Sequence, residues 1–395
     1  MLKTLLCALP LIPLCGAETP APQKKTICLN MIVKNESDVI TRCLDSVRPL
    51  IDTWVIVDTG STDGTQEVIK KHMKDIPGEL YEKPWVNFGY NREEALQLAK
   101  NKADYILFMD ADDKLSFDPQ FKLPELNLDF YAIPTRSKDT ECVLPRLIKS
   151  SVDWHWHDVL HEYIQAKEET KGAMLDGVEY VYLHEGSRAK DPQRCQKDIE
   201  VLHQGLKIDP ENSRYVFYLG MTYMHAGDYK NALKYFEQRA EMGGIEQVVF
   251  VSKLHVAKLQ DELKMDKAVI EKSYADAFKY FPSRIEPLYY LVKRAREEGS
   301  YQKGFDIASL ALHIPRSYSV FLEKSIWEYA LLTEYAICAY YVQKYKESSS
   351  ACDKVLALQD IPANYRTEME SLQKELHSIT IEKVQSKIFE LITPK

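Results

Sequence analysis

Nowhere in the 395-residue chain do about 18 apolar residues follow one another, so no membrane-spanning helix is expected. A basic excess is missing as well: Lys and Arg total 51 against 59 Asp and Glu, a net charge of −8. Nonspecific nucleic-acid binding needs a basic footprint and is not expected. Nucleotide binding stays open, because a metal ion can supply local positive charge. None of the eight cysteines (7, 15, 28, 43, 142, 195, 338 and 352) belongs to a Cys-x-x-Cys pair, so there is no zinc signature. Cys28 and Cys43 lie in apolar-periodic segments and read as buried thiols. The phosphate-loop sequence Gly-Lys-Ser/Thr and the dinucleotide fingerprint Gly-x-Gly-x-x-Gly are both absent. What is present is an ordinary globular composition, 45% apolar and 28% charged, which excludes a disordered or low-complexity chain.

Residues 1–17 read as an address. Lys3 precedes a short apolar core, Leu5–Leu14, and small residues lead to a cleavage point after Ala17. Residues 18–24 read as a linker. A functional signal places the chain in the secretory pathway or outside the cell; without one it is cytoplasmic. Asn35-Glu36-Ser37 is a glycosylation sequon in form, but it falls on an expected site loop, so occupancy is not expected.

Residues 25–190 alternate strand-like and helix-like segments. Strands are expected at Ile27–Val33, Trp54–Val57, Leu80–Glu82 and Tyr105–Met109. Helices are expected from Ser37 to Leu50, from Thr62 or Asp63 to Lys74, and from Asn91 to Lys100. This order implies a mostly parallel sheet covered by helices on both faces, with ligands beyond the carboxyl ends of the strands. Lys34-Asn35-Glu36, Asp58–Thr65 and Asp110–Asp113 all follow strands and converge there. From 191 to 395 the pattern is helical. Tyr218, Leu219, Gly220, Tyr223, Gly227, Tyr229, Ala232 and Phe236 match the helix-turn-helix repeat called tetratricopeptide. The register recurs at Leu291, Ala295, Gly299, Tyr301, Gly304 and Ala308, leaving room for one irregular repeat between. A weaker copy runs through Ala336, Ala339, Tyr345 and Cys352.

Met109-Asp110-Ala111-Asp112-Asp113 ends an apolar strand and crowds carboxylates into one turn. Like charges that close repel, so a cation is expected among them, and oxygen-only ligands suit Mg²⁺ or Mn²⁺ bridging substrate phosphates. The alternative is a turn in which Asp112 or Asp113 caps the next segment. In Val57–Thr65, Gly60 and Gly64 permit tight backbone geometry around Ser61. There, Asp58 can accept a hydrogen bond from a base or ribose, and Asp63 reads as a helix cap. Asp153-Trp154-His155-Trp156-His157-Asp158-Val159-Leu160-His161-Glu162 is dense in acid–base candidates. His155 and His157 read as alternating across a strand. The two tryptophans either stack on a sugar or fill the core.

Together Ile27–Glu36, Val57–Thr65, Asn87–Arg92 and Asp110–Asp113 resemble the family 2 glycosyltransferases. The resemblance implies an α/β GT-A domain at 25–190 followed by all-α tetratricopeptide-like repeats at 191–395. It implies an inverting, metal-dependent transfer of a sugar from a nucleotide-diphosphate donor, a UDP-sugar first among them, to a peptide, protein or glycan acceptor. The donor would meet Lys34, Asn35, Glu36, Asp58, Gly60, Ser61, Arg92, Asp110 and Ala111. Asp110 and Asp112 would hold Mn²⁺ or Mg²⁺, with His184 as a further ligand. Glu162 would be the base, with Asp158 second, and His161 would orient it or touch the phosphates. Ser187 departs from the family, which has an aromatic residue there. The repeats would hold a protein partner or acceptor. Two other readings are a noncatalytic scaffold, which would have lost metal-dependent nucleotide binding, and a nucleotidyltransferase. The second would carry a Gly-rich basic loop where Lys34-Asn35-Glu36 stands.

Overall fold

The computed structural model describes residues 24–136, 141–316 and 321–392. The signal and linker segments, apart from Lys24, therefore lie outside the described residues. The described residues form two compact units: those up to 158 together with 162–190, and 159–161 together with those from 191 onward.

The first unit opens β1 (Ile27–Val33), α1 (Ile40–Val47), β2 (Thr53–Asp58), α2 (Thr65–His72), β3 (Gly78–Glu82), α3 (Phe88–Ala99) and β4 (Tyr105–Phe108). Strand periodicity explains the layers. Ile27, Leu29, Met31 and Val33 pack with Ile40, Leu44, Val47 and Ile69, on the side of α1 and α2. Cys28 of β1 faces the other way, with Val55, Leu96, Ala99, Ile106 and Phe108. Being covered on both faces, β1 is apolar at every position but Asn30 rather than alternating. Asn30, buried within it, donates from Nδ2 to the carbonyls of Val55 and Ala95 at 3.2 and 2.9 Å.

Seven further strands follow: β5 (Lys114–Phe117), β6 (Phe130–Arg136), β7 (Glu141–Lys149), β8 (Trp154–His157), β9 (Tyr163–Ala166), β10 (Gly172–Met174) and β11 (Val178–Val181). The main sheet runs β3-β2-β1-β4-β7-β6-β11-β5, with β10 on β6, while β8 and β9 form a separate antiparallel ribbon. The first four strands are mutually parallel, and β6 pairs parallel with β10 and β11; β7 is antiparallel to both β4 and β6, and β5 to β11. The sheet is thus mixed, with most of its pairings parallel as expected and three antiparallel ones added at β5, β7 and β11. The chain leaves β1 toward β2 and returns to its other side at β4. That reversal opens a crevice between the loops after β1 and β4, where ligands bind in such sheets.

Two helix starts differ from expectation. Ser37 does not cap α1, which begins at Ile40 without a side-chain cap. Gly64 is the N-cap position of α2, and Asp63 accepts from Thr65 N at 3.0 Å from just outside the helix. Asp63 also accepts from Ser37 N at 3.0 Å, so both residues serve the loop–loop contact instead.

The second unit is built of helical hairpins. After α4 (Arg194–Ile208) come α5 (Ser213–His225) and α6 (Tyr229–Glu241), α7 (Glu246–Glu262) and α8 (Lys267–Tyr280), and α9 (Glu286–Glu297) and α10 (Tyr301–Ala311). A π-turn at Ile326–Ala330 leads into α11 (Leu331–Tyr341), paired with α12 (Tyr345–Leu356), and α13 (Ala363–Ile392) follows. Gly220 lets the Phe236 ring approach: a Cβ there would sit 3.1 Å from it. The irregular repeat expected between the two clear ones is the α7–α8 hairpin.

Candidate active site

Three loops close the carboxyl ends of β1, β2 and β4. Asn35, in left-handed backbone at φ 57°, donates its amide to Ser61 Oγ at 2.8 Å and accepts from Thr62 N at 2.8 Å. Glu36 N reaches Thr65 Oγ1 at 2.8 Å. The first two loops are therefore laced together, and the amide of the sequon's Asn35 is engaged. Burial pushes the Asp63 carboxyl up, but hydrogen bonds from Thr65 and Ser37 outweigh it and hold the group down at about 2.

At the end of β2, Asp58 is 1% exposed. Its Oδ1 accepts from the amides of Gly60 and Ser61 at 2.9 and 2.8 Å, while its Oδ2 is buried and has no hydrogen-bond partner. Gly60 sits at φ 103°, a conformation glycine adopts freely. Asp58, Gly60, Glu82, Lys83 and Pro84 line one cleft. A buried carboxylate oxygen without a donor costs free energy, and a ligand N–H or O–H entering that cleft would satisfy it.

The acidic turn after β4 has two halves. Arg92 of α3 donates from Nε to Glu162 Oε1 at 2.6 Å and from Nη2 to Asp110 Oδ1. Arg146 of β7 lies 3.7 Å from Asp110 Oδ2. Burial raises the Asp110 pKa, but Arg92 and Arg146 outweigh it and hold the carboxyl well below the usual carboxylate range. Asp113, fully buried, accepts from Leu183 N at 2.9 Å and from the Tyr180 hydroxyl at 2.7 Å. Burial and neighbouring Asp110 push it up to about 7.

The other half is Asp112, whose Oδ2 accepts from Gly186 N at 3.0 Å. Arg42 of α1 holds the Asp112 carbonyl at 2.6 Å and Glu185 at 2.5 Å. Ser187 donates from N and Oγ to Glu36 Oε1 at 3.2 and 3.1 Å. A Cβ on Gly186 would fall 2.9 Å from Asp112 Oδ2 and 3.0 Å from Glu36 Oε1, so the two carboxylates share one small space. Burial, then Asp112, pushes Glu36 up to about 7. Two crowded carboxylates are a set of oxygen donors that fits a hard cation whose remaining ligands are water and phosphate.

The expected metal set of Asp110, Asp112 and His184 is not assembled. Among the described residues, no three His, Cys, Asp or Glu side chains are grouped to hold an ion. Asp110 is neutralised by arginines instead. His184, exposed and at φ 56°, has its ring 4.0 Å from that of Tyr182. Of the base candidates, Glu162 joins the Arg92 network. Asp158 turns at φ 70°, and its carbonyl lies so close to Gly89 that any Cβ there would collide with it at 2.0 Å. His161 stacks on Tyr218, with ring centroids 3.9 Å apart, within the helical unit. Trp154 and Trp156 pack in the core beside Phe108 and Ile148, and Arg92 lies over the Trp156 ring at 5.3 Å. His155 pairs with Glu93 at 3.1 Å. Lys34 and Ala111 flank the crevice, the first exposed and the second buried. Sequence reasoning missed Arg42, Arg146 and Tyr180, although an arginine or tyrosine inside an apolar strand is a readable signal.

Residues 28–125 match the model of glycosyl transferase family 2. The SPbeta prophage-derived glycosyltransferase SunS of Bacillus subtilis is 25% identical over 215 residues, covering 49% of this chain and 48% of that protein. A TPR repeat-containing protein of Synechococcus elongatus is 25% identical over 254 residues, 59% of this chain and 61% of that protein. An uncharacterized glycosyltransferase of Rickettsia prowazekii is 33% identical over 96 residues, 24% of this chain and 31% of that protein. The chain thus spans 48% of the length of SunS, about half. It carries a family 2 glycosyltransferase domain, followed by tetratricopeptide-like helical repeats.

Proposed function

We propose that this chain transfers a sugar from a nucleotide-diphosphate donor to a peptide, protein or glycan acceptor, with inversion. The observation that carries the reading is that Arg92 bridges Asp110, at the carboxyl end of β4, and the base candidate Glu162, while the orphaned Asp58 oxygen stands at the carboxyl end of β2. Asp58 Oδ2 accepts from the nucleoside, with UDP the first donor nucleotide to test. Lys34, Asn35, Glu36, Gly60, Ser61 and Ala111 form the walls around it.

Asp112, with Glu36 beside it, would hold Mg²⁺ or Mn²⁺. When bound, such an ion neutralises the charge that develops on the departing diphosphate. Arg92, paired with Asp110 and Glu162, holds the base candidate in place. Glu162 takes the proton of the acceptor hydroxyl as its oxygen attacks the anomeric carbon from the face opposite the leaving nucleotide. The new bond forms as the old glycosidic bond breaks, the nucleoside diphosphate departs, and the configuration inverts. Asp158 is the second candidate for the base. The helical repeats hold the acceptor or a protein partner.

Glu162→Gln tests the base, because glutamine keeps an oxygen for Arg92 and cannot take a proton. Donor turnover should fall by about 10²–10⁴-fold, the usual worth of a positioned base, while nucleotide affinity stays nearly unchanged. Full turnover in Glu162→Gln with loss in Asp158→Asn moves the role to Asp158. Wild-type protein that turns over no nucleotide sugar would remove the enzyme reading in favour of a scaffold.

A further inference from the structure

Tyr180 stands where the half-buried Asp110 and the buried Asp113 of the acidic turn meet. It is 0% exposed on β11. Its hydroxyl oxygen accepts from Asp110 N at 3.1 Å. Its single proton faces Asp113 Oδ2 at 2.7 Å and Asp110 Oδ2 at 3.0 Å. The guanidinium of Arg146 lies 3.9 Å above its ring and reaches on to Asp110 Oδ2 at 3.7 Å.

The backbone singles out Arg146. On β6 the register moves from Tyr131 to Ala132, while on β7 the partners are Leu147 and Pro145. Arg146 is the extra residue of a β-bulge. Bulges bend a strand and re-aim one side chain, and they concentrate beside active sites. Here the irregularity also accommodates Pro145, which has no N–H to give to the ladder. A guanidinium is planar, so it stacks on the Tyr180 ring and points at the carboxylate at once, which a lysine ammonium does not.

We infer that Tyr180 and Arg146 form a positioning pair for the transfer reaction. They fix Asp110 toward Arg92, and hence toward Glu162, and leave Asp112 as the carboxylate that faces the donor. The two carboxylates of the Asp-x-Asp sequence thereby divide their work: Asp110 orients a cation and Asp112 meets the ligand. This rests on the glycosyltransferase reading of the same site.

The test compares Tyr180→Phe with Tyr105→Phe in the full chain. Tyr105 is also buried and donates its hydroxyl to the Leu128 carbonyl at 2.6 Å, away from the turn. Both variants lose a buried hydroxyl, so their melting temperatures measure the structural cost alone. Tyr180→Phe should lower kcat for donor turnover by about 10–100-fold, the usual effect of removing a supporting contact, with KM for the donor nearly constant. Tyr105→Phe should leave kcat within about twofold of wild type. Arg146→Lys, which keeps the charge and loses the stack, should show the same kcat-over-KM split and serves if Tyr180→Phe fails to fold. Equal kcat in the two tyrosine variants, or a change in KM only, overturns the positioning role and leaves the glycosyltransferase reading standing. No nucleotide binding and no turnover by folded wild-type protein overturns both.

Discussion

At the scale of single residues, Arg92 is the most consequential side chain. It is 11% exposed and satisfies two carboxylates that are themselves largely buried. Arg92→Ala strands both charges, and removing one partner of a buried pair typically costs about 3–5 kcal/mol, readable as a lower denaturation midpoint. Arg92→Lys keeps the charge but loses the planar fork, so it should fold better than the alanine variant and still lose most turnover. Gly186→Ala is a sharper probe of the Asp112 side. Its Cβ would press on Asp112 and Glu36, so Mn²⁺-dependent nucleotide binding should weaken about tenfold or more, which calorimetry reads directly. Periodicity located the strand ends that carry Asp58, Asp110 and Asp112, whereas Arg92 and Glu162 were reached through the family resemblance. The acidic turn led to the expectation of a metal cation among its carboxylates, and in the structure arginines reach Asp110 and the Asp112 carbonyl. What pattern reading missed was this source of positive charge. Arg42, Arg146 and Arg92 supply cations to the turn, and the first two reach it from elements whose pairing no local pattern records.

At the scale of elements, the four hairpins share one turn. Gly227, Lys264, Gly299 and Gln343 each take left-handed backbone just after a helix. In each case the next residue donates back to a carbonyl five positions earlier: Asp228 to Tyr223, Met265 to Gln260, Ser300 to Ala295 and Lys344 to Ala339. This is the Schellman cap. The two copies with glycine read as clear repeats, while the irregular copy with Lys264 and the weaker one with Gln343 make the same turn without glycine. Lys264 and Gln343 are exposed, so glycine there should remove backbone strain and raise the melting temperature by about 1–3 °C per site. The same unit should be acid-sensitive. Burial lowers the His255 pKa to about 3, with Lys258 and His225 adding to the effect; its ring stacks on Phe236 and its Nδ1 has no partner. The unfolded chain binds the proton more readily, so stability present above about pH 6.5 is lost progressively as pH falls toward 3, by roughly 2 kcal/mol already at pH 5. His255→Phe should flatten that slope in urea titrations at pH 7 and pH 5, and an unchanged slope would remove His255 as its source.

For the molecule as a whole, the parallel half of the sheet was visible because β1, β2 and β4 are apolar runs that only a doubly covered strand tolerates. The mixed half, β5 to β11, was not: Pro134 and Pro145 interrupt paired strands, and the bulge at Arg146 breaks their alternation. That half supplies Tyr180 and Arg146, which is why the site looked complete without them. The central claim is that the β1–β4 crevice binds a nucleotide diphosphate with help from a metal at Asp112. The most direct test is calorimetry of the full chain with UDP, GDP and CDP, each with and without Mn²⁺, repeated on Asp112→Ala and Asp58→Asn. The account predicts that one nucleotide, UDP first, binds only with Mn²⁺, that Asp112→Ala abolishes the metal requirement together with most of the affinity, and that Asp58→Asn weakens binding through the nucleoside. Folded wild-type protein that binds none of the three, or binds one equally well without Mn²⁺ and in Asp112→Ala, would contradict it.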